Sequence, residues 1–235
     1  MQVTDTDQSA SIASTLHDAV QRTHEALAQS YGHHGFTVPS DPLQSLIRTI
    51  LSQNTTRHNS ELAYQRLVAR FPDSEELAAA TVAQIADAIR PGGLANQKAE
   101  RIKSILTQLV TQHGSPSLDA LADMDTTEAE TYLQHFPGVG PKTAACVLMF
   151  ALGREVFPVD THVRRITERL GWVPPKLSDE AIHQALARLV PPQLRYQLHV
   201  NMITHGRQTC LARKPRCPLC PIRGLCDYYA ENSSD

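Results

Sequence analysis

Leu43, Leu46, Ile47, Ile50 and Leu51 repeat at i, i+3, i+4, i+7 and i+8, a spacing that puts five apolar side chains on one face of a helix. Asp41-Pro42 just before them supplies an N-cap oxygen and a first helical residue with no N–H to satisfy, so a buried helix is predicted here. Leu16, Val20 and Leu27 mark an earlier helix ending near Tyr31-Gly32, whereas residues 1–10 are polar without a periodic apolar face and are expected to be disordered. Asp73 with Glu76, Thr81 with Gln84 and Asp125 with Glu128 stand at capping-box spacing and predict three more helix starts. Pro91-Gly92-Gly93 interrupts the chain before Ile102, Ile105, Leu106 and Leu109 give the next helix its stripe. Ala144 to Ala151, Val163 to Leu170 and Ile182 to Leu189 carry further stripes of the same period. No connection needs a strand and no internal repeat is present, so the fold expected is all-α, with closely packed lobes.

A chain of 235 residues with 41% apolar content can bury a substantial core, and aromatic residues at only 5% favour helix over sheet. The net charge of -2 sets up no global field for a polyanion, so contact with nucleic acid would need a local patch. From Arg188 to Cys226 there are seven basic residues and no Asp or Glu, a run equally compatible with a solvated surface. The first twenty residues lack a basic segment followed by an apolar one, and the longest apolar stretch, Cys146 to Leu152, is far short of the roughly 18 residues that span a bilayer. The expectation is a soluble cytoplasmic protein without a membrane partner, nucleoid-associated if bacterial. In such a compartment four clustered cysteines out of five argue for metal ligation rather than disulfides.

Those four, Cys210, Cys217, Cys220 and Cys226, form C-x6-C-x2-C-x5-C. The spacing suits zinc or an iron–sulfur cluster, because thiolates bind both. Cys146 lies beside Val147 and Leu148 and reads as a packed thiol. Between the first two ligands a loop offers Arg213, Lys214 and Arg216 to DNA phosphates, with both its ends tied down.

In Pro137-Gly138-Val139-Gly140-Pro141-Lys142-Thr143-Ala144, two glycines bracket one apolar residue and permit a tight turn between helices. The backbone N–H groups opening the second helix would then face outward, where a phosphate can sit. Lys142 falls in the first turn of that helix, where the positive dipole end favours the neutral amine, the form that attacks carbon and builds a Schiff base. A plain phosphate-binding lysine suits the same place. Eighteen residues on, Asp160 in Val159-Asp160-Thr161-His162 precedes a helical run: a carboxylate there serves as N-cap and can stabilise a cationic sugar.

The hairpin with its lysine, Val-Asp-Thr-His at this separation and the four-cysteine loop together resemble the endonuclease III family over about residues 30–228. The resemblance implies a helix-hairpin-helix glycosylase fold: a six-helix barrel lobe over 39–153, and a cluster lobe made from 1–38 and 154–235. It implies a [4Fe-4S] cluster on the four cysteines. It further implies a bifunctional DNA glycosylase and abasic-site lyase that removes oxidised pyrimidines, with Lys142 as nucleophile and Asp160 as assisting carboxylate on a flipped-out nucleotide. The partner implied is double-stranded DNA with damaged bases or abasic sites, engaged by a monomer. Gly138, Val139, Gly140 and His162 would contact DNA, Gln53 or Asn54 would fill the gap left by the flipped base, and Leu94 would wedge into the opposite strand. The chain departs from the family in placing Asn54 where glutamine is usual and Arg57 where an acidic residue is frequent. Alternatives are a monofunctional or mismatch-directed glycosylase of the superfamily and a non-catalytic iron–sulfur DNA-binding protein.

Overall fold

In the computed structural model the backbone is described for residues 5–36 and 40–232, with side chains from Ser14 onward in the first helix. The described residues are helical and contain no strand. In chain order the α-helices are α1 (Asp5–Tyr31), α2 (Pro42–Ser52), α3 (Arg57–Arg70), α4 (Ser74–Ala79), α5 (Val82–Ala88), α6 (Ala95–His113), α7 (Thr126–Gln134), α8 (Pro141–Leu152), α9 (Thr161–Arg169), α10 (Asp179–Leu189), α11 (Arg195–Gln208) and α12 (Asp227–Asn232). Residues 5–10 are helical, which corrects the expectation of disorder there; residues 1–4, Pro39 at the expected lobe boundary and residues 233–235 lie outside the described residues. A helix nucleated by a packed segment extends outward at the cost of one residue at a time, and no Gly or Pro stands between Asp5 and Leu16 to stop it.

Five of the twelve α-helix starts among the described residues follow from predicted caps. The Asp41 carboxylate accepts from Leu43 N and Gln44 N, and Asp73 accepts from Glu76 N. Thr81 with Gln84 and Asp125 with Glu128 close complete capping boxes. Each such cap contributes about 1 kcal/mol.

The chain divides into two compact units, one within Thr37–Arg154 and the other formed by the segment up to Phe36 together with the chain from Glu155. In the first, α2 packs chiefly on α8, α5 on α6 and α7 on α8. Leu46, Ile50, Leu106, Leu133 and Val147 are fully buried there. In the second, α1 packs on α11, which also packs on α9. Val20 and Leu27 of α1 share that core with Val163, Ile166, Ile182, Leu198 and Met202. No helix among the described residues is long and apolar enough to cross a membrane.

Candidate active site

In the Thr37–Arg154 unit, a turn after buried Phe136 connects α7 to α8. Gly138 has φ +76°, and a Cβ there would meet Cδ of Arg101 at 2.7 Å, so backbone conformation and packing both demand glycine. Val139 is 5% exposed and its N–H donates to Phe136 O at 3.1 Å, which leaves neither its side chain nor its amide for a ligand. Gly140 has φ -98°, an ordinary value, and its Cβ direction is open space. It precedes α8 without a side-chain cap, and the amides of Thr143 and Ala144 both donate to Gly140 O at 3.0 Å. The result is an uncapped helix start with a clear approach to its backbone. Lys142 is the second residue of α8, in the first turn of that uncapped start, and is half-buried.

Two loops of the same unit carry the predicted probe residues. Gln53 ends α2 and is committed internally: its Nε2 donates to Gly138 O at 3.3 Å and to Thr143 Oγ1 at 3.4 Å, while its Oε1 accepts from Arg101 at 3.0 Å. Asn54 beside it is exposed with φ +52°. Leu94 opens α6 with φ +48° and is 51% exposed. A leucine in the left-handed region, turned to solvent, gains nothing from burial to offset that conformation. Among the described residues four non-glycine positions have positive φ, and three of them (Asn54, Leu94 and Lys214) are candidates from the sequence.

In the other unit, Asp160 caps α9, its Oδ1 accepting from His162 N and Val163 N at 2.8 Å each. Two histidines that sequence reasoning passed over hold the peptide before it. His183 Nδ1 donates to Asp179 O at 2.7 Å, which fixes its tautomer, and its Nε2 accepts from Val159 N–H at 3.1 Å. His199 Nδ1 donates to Pro158 O at 2.9 Å. Burial pushes the His183 pKa down, which keeps the accepting nitrogen unprotonated. His162 lies against Gly206, where a Cβ would come within 2.6 Å of its Nδ1, and that nitrogen is 3.0 Å from Arg165 Nη2. Its ring is thus half-buried within the unit, with burial lowering its pKa against the raising effect of Asp160.

Cys210, Cys217, Cys220 and Cys226 line one small pocket together with Arg169, Tyr228 and Tyr229. Arg169 donates to Cys210 Sγ at 3.1 Å and to Leu211 O at 2.9 Å, and Arg165 donates twice to Cys210 O. His205 Nε2 stands 3.6 Å from Cys220 Sγ, and its Nδ1 is 2.9 Å from the Tyr31 hydroxyl. Burial pushes the Cys220 thiol up to about 11 and the Cys226 thiol upward as well, so these thiols ionise only against a strong positive charge such as iron. Four thiols lining one pocket provide a soft, all-sulfur ligand set of the kind that holds zinc or an iron–sulfur cluster. Arg213, Lys214 and Arg216 project from the loop above this pocket and are exposed. The loop is closed by Arg216 N–H donating to Thr209 O at 2.9 Å, and Arg169 holds Ala212 O at 3.2 Å.

Residues 47–192 match the model of the HhH-GPD superfamily of base excision DNA repair proteins, and residues 210–226 match the iron-sulfur binding domain of endonuclease III. A putative DNA glycosylase of Arabidopsis thaliana is 41% identical over 194 residues, which cover 79% of this chain but only 66% of that protein. Endonuclease III of Thermotoga maritima is 36% identical over 190 residues, covering 81% of this chain and 84% of the relative. Among solved structures, a non-covalent endonuclease III–DNA complex superposes with a TM-score of 0.79 at 26% identity, covering 93% of this chain and 99% of that one.

Proposed function

Because this chain belongs to the HhH-GPD superfamily of base excision DNA repair proteins, and within it to the endonuclease III family, we propose that it is a bifunctional DNA glycosylase and abasic-site lyase acting on oxidised pyrimidines in duplex DNA. The chain carries a [4Fe-4S] cluster, for which Cys210, Cys217, Cys220 and Cys226 are the ligands we assign. When bound, the cluster supplies a cross-link that fixes the basic loop of Arg213, Lys214 and Arg216 for phosphate contact.

The observation that carries the reading is Lys142 in the first turn of α8, whose start has no side-chain cap. A phosphate of the damaged strand settles on the amides of that helix start, where the dipole favours an anion. The reacting sugar carbon is inaccessible in a stacked duplex, so the nucleotide rotates out. Asn54 is the free residue of its loop, since Gln53 is spent on Gly138, Thr143 and Arg101; we assign gap filling to Asn54 and strand wedging to Leu94. The Lys142 amine attacks C1′ as the C1′–base bond breaks, and the departing base takes a proton. The attached amine gives up a proton, and its nitrogen lone pair then expels O4′, which takes a proton as the C1′–O4′ bond breaks; the ring opens and C1′ is left as the protonated Schiff base. Removal of a proton from C2′ then expels the 3′ phosphate and completes β-elimination. To the Asp160 carboxylate we assign stabilisation of the positive charge that develops on the sugar.

Borohydride reduction on abasic-site DNA tests the chemistry. Wild type is expected to form a covalent complex and Lys142→Gln to form none; equal trapping by the variant would refute the assignment. A panel of duplexes carrying thymine glycol, dihydrouracil, uracil or mismatched thymine, under single-turnover conditions, is expected to show fastest release of the oxidised pyrimidines.

A further inference from the structure

Lys98, in the first turn of α6, is 1% exposed. Its Nζ donates to Leu51 O at 2.8 Å and to Gly92 O at 2.9 Å. Leu51 belongs to the last turn of α2, where a carbonyl has no intrahelical partner, so the amine acts as a C-terminal cap supplied by a different helix. Gly92 ends the short turn before α6 and packs closely on α3: a Cβ there would come within 3.0 Å of Ala63 Cβ, while the Lys98 amine stays at 3.9 Å. A methionine or leucine would fill this apolar site at less desolvation cost than an amine. What only a multi-donor head provides is a bridge between two carbonyls.

The bridged carbonyls are the stems of the two probe loops. Leu51 lies three residues before Asn54, and Gly92 two residues before Leu94. Both probe residues hold left-handed backbone in the open, a conformation that persists only where the surroundings over-determine it. We propose that Lys98 is a positioning residue that locks the two loops in one register, so that Asn54 and Leu94 enter DNA as a single coupled event. This inference rests on the reading that those two side chains enter the duplex.

A double-mutant cycle separates the two claims. The quantity read is the ratio of Kd for undamaged duplex to Kd for a duplex bearing a tetrahydrofuran abasic analogue, with melting temperature recorded in parallel. Lys98→Met is expected to lower that ratio about tenfold in the otherwise wild-type chain, yet to change it less than about twofold once Asn54→Ala and Leu94→Ala are present. A residue serving stability alone would lower the ratio equally in both backgrounds or in neither, and either result overturns the proposal. If the Asn54→Ala, Leu94→Ala pair keeps full discrimination, the reading of the loops as DNA probes fails instead, and the coupling falls with it. Should Lys98→Met not fold, the same cycle is run with Gly92→Ala, whose added methyl presses on the bridged segment; the same pattern is expected and the same two results overturn it.

Discussion

Asp160 caps α9, and in the function we propose the same carboxylate carries the charge that stabilises the sugar cation. Oδ1 alone accepts both amides that open α9. Asp160→Asn keeps that oxygen and removes the charge, so its melting temperature should stay near wild type while single-turnover base release falls roughly a hundredfold or more. Asp160→Ala loses the cap too and should cost about 1 kcal/mol of stability in addition. Equal base release by the asparagine variant and wild type would show that the charge is not used. Residues of this kind are legible in the sequence because their evidence is local: a cap precedes its helix by a few positions, and the four cysteines fall inside seventeen residues. Lys98, His183 and His199 are not, because their partners are backbone groups 47, 24 and 41 positions away. No side-chain pattern announces which distant carbonyl or amide lacks a partner. Left-handed Leu94 is equally hidden, since leucine's preferences argue against that conformation. Gln53 and Asn54, interchangeable in the sequence, are told apart only by the three hydrogen bonds that occupy the former.

At the level of elements, the apolar periodicities mark the main helices, and the caps mark five of the starts. The extension of α1 to Asp5 was missed because its cause is propagation from a packed segment rather than a local stripe. The segment before Asp160 is neither helix nor strand, and its peptides at Pro158 and Val159 are held by His199 of α11 and His183 of α10. His183 accepts from Val159 only while neutral, and burial holds its pKa below the ordinary 6.5. The unfolded chain therefore binds the proton first as pH falls. The stabilisation from this contact is fully present above about pH 6.5 and is lost as pH drops through the lower folded value. Asp179 and Glu180 favour protonation and Arg164 opposes it. Melting curves between pH 8 and 5 should show wild type and His183→Gln converging toward the acid end; parallel curves would assign the acid sensitivity to another group.

Across the whole molecule, the cysteine pocket draws together the end of α9, the loop after α11 and the start of α12. Stripping the cluster by oxidation or chelation should therefore expose a specific region, because metal-binding energy in such a site is also folding energy. Hydrogen exchange is expected to lose protection over residues 205–232 and the end of α9, with α2 to α8 keeping theirs. Collapse of protection in α2 to α8 would mean that the cluster supports the entire chain. The fold class was legible because its stripes and caps each rest on residues close together in sequence. The assignment of the first helix to the cluster-bearing unit rested on resemblance alone, since a core formed by α1 and α11 leaves no mark in either segment. That discontinuity sets an order of events at the ribosome. The Thr37–Arg154 unit is contiguous and can mature as soon as it emerges, whereas α1, synthesised first, must wait for α11 to leave the exit tunnel before its apolar face finds a home. Until α11 emerges, α1 stands without the partner that covers its apolar face.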